Sequence, residues 1–247
     1  MIDLLIILAA GFIGGYIGAQ VGSGALITIP ALIFIGLEPA LAIGTNIIAG
    51  LLTNVVATIK YWKSGKLNFH FVLLFSLLSF VGAIIGSNIL LDIDKTILNK
   101  LVALFFVALI FVLFQKPKAG IITEQNIGRG KLTLAYGLSF LLGIYGGFFS
   151  VGVTTFLVFL YVLLLGRDFI AAIANSTFVT SIMLIGATII FIIKDNIDYS
   201  LAIPLSATSI AGSYLGAHTA LKFGDKWLKI FITLTVASLI IKLLLGL

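Results

Sequence analysis

The chain repeats one apolar pattern at a fixed distance. Residues 19–113 align with residues 149–243 at a constant offset of 130, without a gap, and both stretches are almost continuously apolar. Leu and Ile would coincide by chance in such sequence, whereas several glycine pairs would not. The identical pairs include Gly22/Gly152, Gly36/Gly166, Ala42/Ala172, Ser76/Ser206, Gly82/Gly212 and Gly86/Gly216. Internal duplication of hydrophobic segments is typical of secondary transporters, in which the substrate site lies between the two repeats.

Composition places the chain in a membrane. Hydrophobic residues make up 61% of it and charged residues 10%, against roughly 45–50% and about 25% in soluble domains. A run of about 20 apolar residues crosses the ~30 Å hydrocarbon layer as a helix, and the chain holds about ten such candidate runs. We therefore predict an all-α, polytopic protein of the cell membrane. The first run, 4–19, has no basic residue before it, so a retained helix is expected rather than a cleaved signal peptide.

The apolar runs and the breaks between them predict ten helical segments. These are 4–19, 24–36, 40–60, 69–91, 97–114, 132–149, 154–166, 169–193, 199–221 and 227–245. The stretch from 115 to 131 holds one proline and several glycines among polar residues, which is typical of a joint between halves. We predict a first transmembrane repeat at 1–115, a cytoplasmic linker at 116–130 and a second repeat at 131–247, with five segments in each repeat.

Charges in the connections predict how the repeats are oriented. The loop 60–68 is basic, whereas its repeat partner 190–198 is net acidic. Because basic loops stay in the cytoplasm, these equivalent loops are expected on opposite sides of the membrane. An odd number of segments per repeat requires the same, so we predict two inverted-topology repeats with both termini outside. A parallel duplication is the alternative, since few charges decide the orientation.

Several function classes are disfavoured by what the sequence lacks. There is no cysteine, which excludes disulfides, thiolate catalysis and cysteine-based metal sites. The net charge of +6 is gathered in short loops, so it indicates membrane orientation and not nucleic-acid binding. The carboxylates fall in loops or at segment ends, which disfavours carboxylate-based proton coupling. Since no hydrolase, phosphate-loop or metal-binding motif is present either, we predict no catalytic residue, no metal and no cofactor.

The two short segments, 24–36 and 154–166, are the predicted centre of the site. Each has 13 residues, which is too short to span, so each is expected to be half of a re-entrant or broken helix. The first N–H groups of each half-helix would form an anion site without a charged side chain. Ser23, Thr154 and Thr155 are the expected caps, and close helix packing is the alternative role of the glycines. The predicted contacts at the two breaks are Gly22, Ser23, Gly24, Gly152 and Thr154.

A second polar cluster opens the next segment of each repeat. Its hydroxyl and amide groups could donate to ligand oxygens, although interhelical hydrogen bonds are an equally good interpretation of each residue. Asn54 is a weaker candidate because its repeat partner is Leu184, and packing is the favoured role of His218. The predicted members of this cluster are Thr45 and Asn46 in the first repeat and Asn175 and Ser176 in the second.

The residues around the first break also resemble a known family. The runs GSGALITIP at 22–30 and GLEPALAIGTN at 36–46 are similar to the sulfite exporter TauE/SafE family, also called toluene sulfonate uptake permeases. The likeness runs nearly end to end and includes the glycines at 82, 86, 212 and 216. It implies a transporter of small sulfur-containing anions such as sulfite, sulfonates or related organic acids.

The leading hypothesis is an alternating-access carrier that holds a small oxyanion, such as sulfite or sulfoacetate, between the two repeats. An anion channel is one alternative. An intramembrane sensor or enzyme that binds a lipid or cofactor is another, but it predicts a loop-rich domain or catalytic groups at mid-depth. Oligomeric state is not predicted. The predicted partners are a small anionic substrate and the lipid bilayer, without nucleic acid.

Overall fold

The computed structural model of the chain describes residues 2–22, 24–94, 96–97 and 128–244, and side chains as far as residue 224. Every regular element in this part of the chain is helical, which confirms the all-α prediction. Residues 98–114 of the predicted segment 97–114, most of the predicted linker and Ser23 lie outside the described residues. The elements are α1 (Ile2–Val21), α2 (Ala25–Phe34), α3 (Pro39–Lys63), α4 (Phe69–Asp92), α5 (Arg129–Phe148), α6 (Val153–Phe159, continued by a π-helical turn at Leu160–Leu164), α7 (Phe169–Ile193) and α8 (Tyr199–Leu244, broken at Gly224).

Within the described residues, four helices are long and apolar enough to cross a membrane: α1, α3, α4 and α7. Two apolar helices are shorter, Ala25–Phe34 and Val153–Leu164. A helix of 10 residues reaches only about 15 Å at 1.5 Å per residue, half of the hydrocarbon thickness. The prediction of a polytopic membrane protein with a short helix near the start of each repeat is therefore confirmed.

The first helix of each half packs against the fourth helix of the other half. Helix α1 lies mainly on α8, and α5 lies mainly on α4. Glycines bring these backbones together, because a Cβ on Gly212 would lie 2.0 Å from the Phe12 carbonyl oxygen and one on Gly86 would lie 1.9 Å from that of Ile144. Small residues at helix crossings are the usual device for tight packing in membranes.

Backbone conformation also recurs at the offset of 130. Three pairs of equivalent residues have positive φ: Gly22 and Gly152 at 79° and 71°, Gly36 and Gly166 at 103° and 62°, and Gly65 and Asp195 at 72° and 51°. The last two pairs end helices, where a left-handed residue lets the next amide bond back to the final turn. The first pair marks the two breaks before α2 and α6.

Helices α3 and α7, each the third helix of its half, pack against one another and run in opposite directions. A Cβ on Gly44, near the start of α3, would meet the ring of Phe191 near the end of α7. Towards the other end, the hydroxyls of Thr58 and Ser181 lie 3.4 Å apart. These two helices, which are equivalent in the repeat, are therefore antiparallel.

In the part of the chain whose side chains are described, charged residues are separated between the two ends of the bundle. The helix directions follow from contacts such as Thr58 with Ser181 and Lys194 with Asp92, the latter a 3.3 Å salt bridge. One end carries mainly bases: Lys60, Lys63, Lys66, Arg129, Lys131, Arg167 and Lys222, with Asp168. The opposite end carries mainly acids: Asp3, Glu38, Asp92, Asp94, Asp195 and Asp198, with Lys194.

Candidate functional site

The two breaks in the helices lie against each other. Gly22, in the break between α1 and α2, is so close to the start of α6 that a Cβ on it would lie 2.5 Å from the Thr154 Cβ and 2.7 Å from the Thr155 nitrogen. The Thr155 hydroxyl donates a hydrogen bond to the Val21 carbonyl, which joins the two halves. The two breaks, which the sequence analysis placed at the centre of the site, therefore lie side by side in the structure.

A cavity of about 40 Å³ lies beside this contact, between the two halves. A space of this size holds about three water molecules. It lies level with residues 46–54 of α3 and with Thr180 and Leu184 of α7, which are the middle turns of both spanning helices. The polar side chains that line it are Thr28, Asn46, Thr53, Asn54, Ser150, Thr154, Thr180 and Ser209.

Thr28 orients the Asn46 side chain in this cavity. The Thr28 hydroxyl, on the short helix α2, donates a hydrogen bond to Asn46 Oδ1 on α3. Asn46 is 2% exposed, so its amide oxygen is satisfied inside the protein and not by water. An asparagine whose oxygen is engaged has its two N–H donors left for a ligand.

Asn54 offers a hydrogen-bond acceptor, whereas Asn46 offers donors. Its Nδ2 donates to the Gly50 carbonyl at 2.8 Å, one turn back on the same helix. This bond leaves Asn54 Oδ1, an acceptor, as the group with most remaining capacity. The cavity therefore offers an amide donor at one turn of α3 and an amide acceptor two turns further on.

The predicted capping of α6 by Thr154 and Thr155 is wrong. The N-cap of α6 is Gly152, with a left-handed backbone and no side-chain cap hydrogen bond. The Thr154 hydroxyl lies 3.0 Å from the Thr180 hydroxyl of α7, while that of Thr155 reaches Val21. Bonds to neighbouring elements have replaced the local cap. In α2 the N-cap is Gly24, also without a side-chain cap.

The predicted contacts fall into two groups in the structure. Gly22, Gly24, Asn46 and Thr154 line the cavity. The residues predicted for the site that do not line it are Thr45, Gly152, Asn175 and Ser176. Their role in ligand binding stays a prediction, as does that of Ser23.

Thr45 and Asn175 make equivalent hydrogen bonds at opposite ends of the bundle. Thr45 Oγ1 accepts from the Asp198 amide at 2.9 Å, and Asn175 Oδ1 accepts from the Asn68 amide at 3.0 Å. Both bonds join α3 or α7 to the start of a helix from the other half. The interhelical interpretation, which the sequence left open, describes both residues in this structure.

Sequence reasoning missed several cavity residues. Thr28, Thr53 and Ser209 were not predicted for the site, although a hydroxyl residue in an apolar helix is a signal that could have been used. Asn54 was ranked low because Leu184 is its repeat partner. Asn54 and Leu184 both line the cavity, so these equivalent positions face it in both halves while their side-chain chemistry differs.

Apolar spanning helices around a polar cavity at mid-depth, where half-length helices from both halves meet, define a polytopic membrane protein of the transporter class. The comparison with protein families agrees. The family model for the sulfite exporter TauE/SafE matches residues 7–243, and the chain belongs to this family.

Relatives in several bacteria carry membrane transporter names and not enzyme names. The chain is 27% identical to "Probable membrane transporter protein ORF9" of Sinorhizobium sp, over 98% of this chain and 92% of the relative. It is 29% identical to a "Probable membrane transporter protein" of Haemophilus influenzae, over 90% and 88%. It is 25% identical to "Probable membrane transporter protein YfcA" of Escherichia coli K12, over 94% and 86%. No solved structure matches the chain significantly.

Proposed function

We propose that this membrane transporter is an alternating-access carrier of small anions, of which sulfur-containing oxyanions and organosulfonates are the favoured class. The observation that carries the proposal is the polar cavity at mid-depth, where Gly22 of one half meets Thr154 of the other. A substrate bound there touches both halves at once. Relative motion of the halves can therefore open the site to either side of the membrane.

The chemistry of the cavity suits an oxyanion. Its polar groups include the Asn46 amide donors and several hydroxyls, which are hydrogen-bond donors to ligand oxygens. The starts of α2 and Val153–Leu164 add the positive ends of two helix dipoles. These groups attract an anion without a fixed positive charge that would hold it too tightly for release.

The substrate class is proposed from the family. Its description names sulfite export, whereas the names of the relatives say only membrane transporter. Sulfite and small sulfonates share the pyramidal or tetrahedral SO₃ group, whose three oxygens match donors arranged around a compact cavity. The direction of transport in the cell follows from the gradients and any coupled ion.

Inverted topology is proposed on two observations. Helices α3 and α7, equivalent in the repeat, are antiparallel, and one end of the bundle is basic while the other is acidic. Under the positive-inside bias the basic end faces the cytoplasm. The N-terminus then lies outside with Asp3, and so does the C-terminus if the halves 1–115 and 131–247 are inverted repeats joined by a cytoplasmic linker at 116–130.

We propose that alternating access breaks one of two equivalent hydrogen bonds between the halves at a time. The bond from the Asp198 amide to Thr45 lies at the acidic end, and the bond from the Asn68 amide to Asn175 lies at the basic end. Both are made in this structure, where the cavity is too small for an organosulfonate. Opening the cavity to one side would break the bond at that side and retain the other.

Transport in liposomes tests the proposal. Purified protein should take up sulfite and methanesulfonate at saturable rates, and Asn46→Leu should lower the uptake at least about tenfold by removing the amide donors. Asn88→Leu is the matched control, because Asn88 bonds to its own helix at the Ile84 carbonyl and does not line the cavity. Unsaturable, channel-like flux would favour the anion channel, and no flux or binding of any anion would contradict both.

A further inference from the structure

The cavity is lined by uncharged polar side chains together with glycines and apolar groups, as far as the structure describes the chain. Among the described residues, the side chains that line it are hydroxyls, amides, apolar groups and glycines, with neither a base nor a carboxylate among them. In the part of the chain that the structure describes, the Lys, Arg, Asp and Glu side chains lie at helix ends or in connections.

The described residues therefore offer an anion in this cavity neutral donors alone. The cost of removing an ion from water rises with the square of its charge, so a dianion loses about four times the solvation free energy of a monoanion. Hydrogen bonds from neutral groups rise less steeply with ligand charge. At mid-depth in a bilayer, a cavity without a cation thus discriminates against the second negative charge.

The acceptor on Asn54 adds a second preference, for ligands that carry a hydrogen-bond donor. With its Nδ2 committed to the Gly50 carbonyl at 2.8 Å, Asn54 presents its amide oxygen. An oxyanion without an O–H or N–H group, such as sulfate or methanesulfonate, offers only lone pairs to that oxygen. A ligand that also carries an O–H or N–H group can donate to it.

We propose that this carrier selects singly charged oxyanions and rejects dianions of the same size. This inference rests on the proposed function as an anion carrier. It names hydrogensulfite as the transported form of sulfite. Among sulfonates it favours those with one charge, and best those with a hydroxyl or amino group, over sulfoacetate, which carries a second charge on its carboxylate.

The sharpest test compares two ligands of matched size. Isethionate and sulfoacetate differ in one group, a hydroxymethyl against a carboxylate, so they differ in charge with little change in volume. The full-length protein in liposomes is loaded with labelled methanesulfonate, and each compound is titrated as a competitor. Isethionate should compete at least about a hundredfold better than sulfoacetate or sulfate, given the desolvation difference.

A pH series separates the two forms of sulfite. Competition by total sulfite should weaken about tenfold for each pH unit above its titration near neutrality, because only the protonated form binds. Methanesulfonate has one charge throughout this range, so its constant affinity shows that the protein itself has not changed. Equal competition by sulfoacetate and isethionate, or affinity for sulfite that is unchanged or rises with pH, overturns the inference. Absence of binding by every anion counts against the carrier proposal instead.

A gain of charge provides an independent test. Leu184 lines the cavity and is 1% exposed, so Leu184→Lys places one cation beside the ligand. The affinity for sulfate and sulfoacetate, relative to that for methanesulfonate, should then rise at least about tenfold. Leu184→Met should leave the order of affinities unchanged. An unchanged order in a folded Leu184→Lys protein contradicts the inference. If that variant does not fold, the comparison of isethionate with sulfoacetate and the pH series, both on the unmodified protein, test the inference.

Discussion

Gly22 and Thr154, which belong to different halves of the chain, lie so close that a single added methyl group on Gly22 would approach the Thr154 Cβ to 2.5 Å. The contact exists because each half interrupts its helices at the same place in the repeat, with left-handed φ values of 79° at Gly22 and 71° at Gly152. It fixes the spacing of the two half-helices and thereby the cavity beside them.

Gly22→Ala should be strongly destabilising. The variant adds a Cβ to a left-handed residue and forces it into Thr154, so a loss of more than about 2 kcal/mol is expected. Thermal unfolding in detergent, followed by tryptophan fluorescence, measures it. Gly137→Ala is the control, because a Cβ at this helical position meets nothing within 4 Å. Equal unfolding midpoints for the two variants would show that the contact at Gly22 is not constrained.

Thr28→Val should weaken anion binding without unfolding the protein. The variant keeps the side-chain volume but removes the donor to Asn46 Oδ1, so the amide is no longer held with its N–H groups towards a ligand. Loss of one such hydrogen bond corresponds to about a tenfold rise in Kd for methanesulfonate. Thr219→Val is the matched control, since the exposed Thr219 hydroxyl bonds only to its own helix at Leu215. An affinity equal to that of the control would show that the Thr28 hydroxyl does not contribute to anion binding.

Thr45→Val and Asn175→Leu should shift the equilibrium between the two open states of the carrier in opposite directions. Each removes the acceptor of one of the two equivalent hydrogen bonds, so Thr45→Val favours opening at the acidic end and Asn175→Leu at the basic end. The chain has no cysteine, so Thr53→Cys in the cavity provides a reporter without background. Labelling by a membrane-impermeant maleimide from each side should rise for one variant and fall for the other. A shift of both variants in the same direction contradicts alternation.

Lys66→Cys and Asp195→Cys should be labelled from opposite sides of the membrane. Both residues are exposed, and they occupy nearly equivalent turns of the two repeats. Inverted topology places the reporter at 195 outside and the one at 66 in the cytoplasm. Impermeant labelling of intact cells, before and after permeabilisation, distinguishes the positions. Labelling of both reporters from one side would establish a parallel duplication instead.

The helices and the breaks could be predicted because their signals are local. The length of the apolar segments and the glycines before them predicted α2 and α6 as short elements, and the end of α2 differs by only two residues from the predicted boundary. The helix caps could not be predicted in the same way. Thr155 uses its hydroxyl on Val21, 134 residues away, and such a competing partner leaves no trace in nearby sequence.

The cavity residues show the same limit. Asn46 was predicted for the site and lies in it, but Thr45 next to it faces Asp198 because successive helical residues point about 100° apart. Which face of α3 meets the cavity depends on how α2 and α8 pack, and the repeat gave no guide because Leu184 replaces Asn54 in the second half. Side chains at a cavity between halves need not obey the symmetry of the backbone that surrounds them.

A structure of the full-length protein in lipid nanodiscs with bound isethionate tests the central claim most directly. The account predicts the sulfonate group beside Gly22 and Thr154, with the Asn46 amide donating to one of its oxygens. Sulfonate density at any other place, with the space between Asn46 and Thr154 filled by packed side chains, would contradict it.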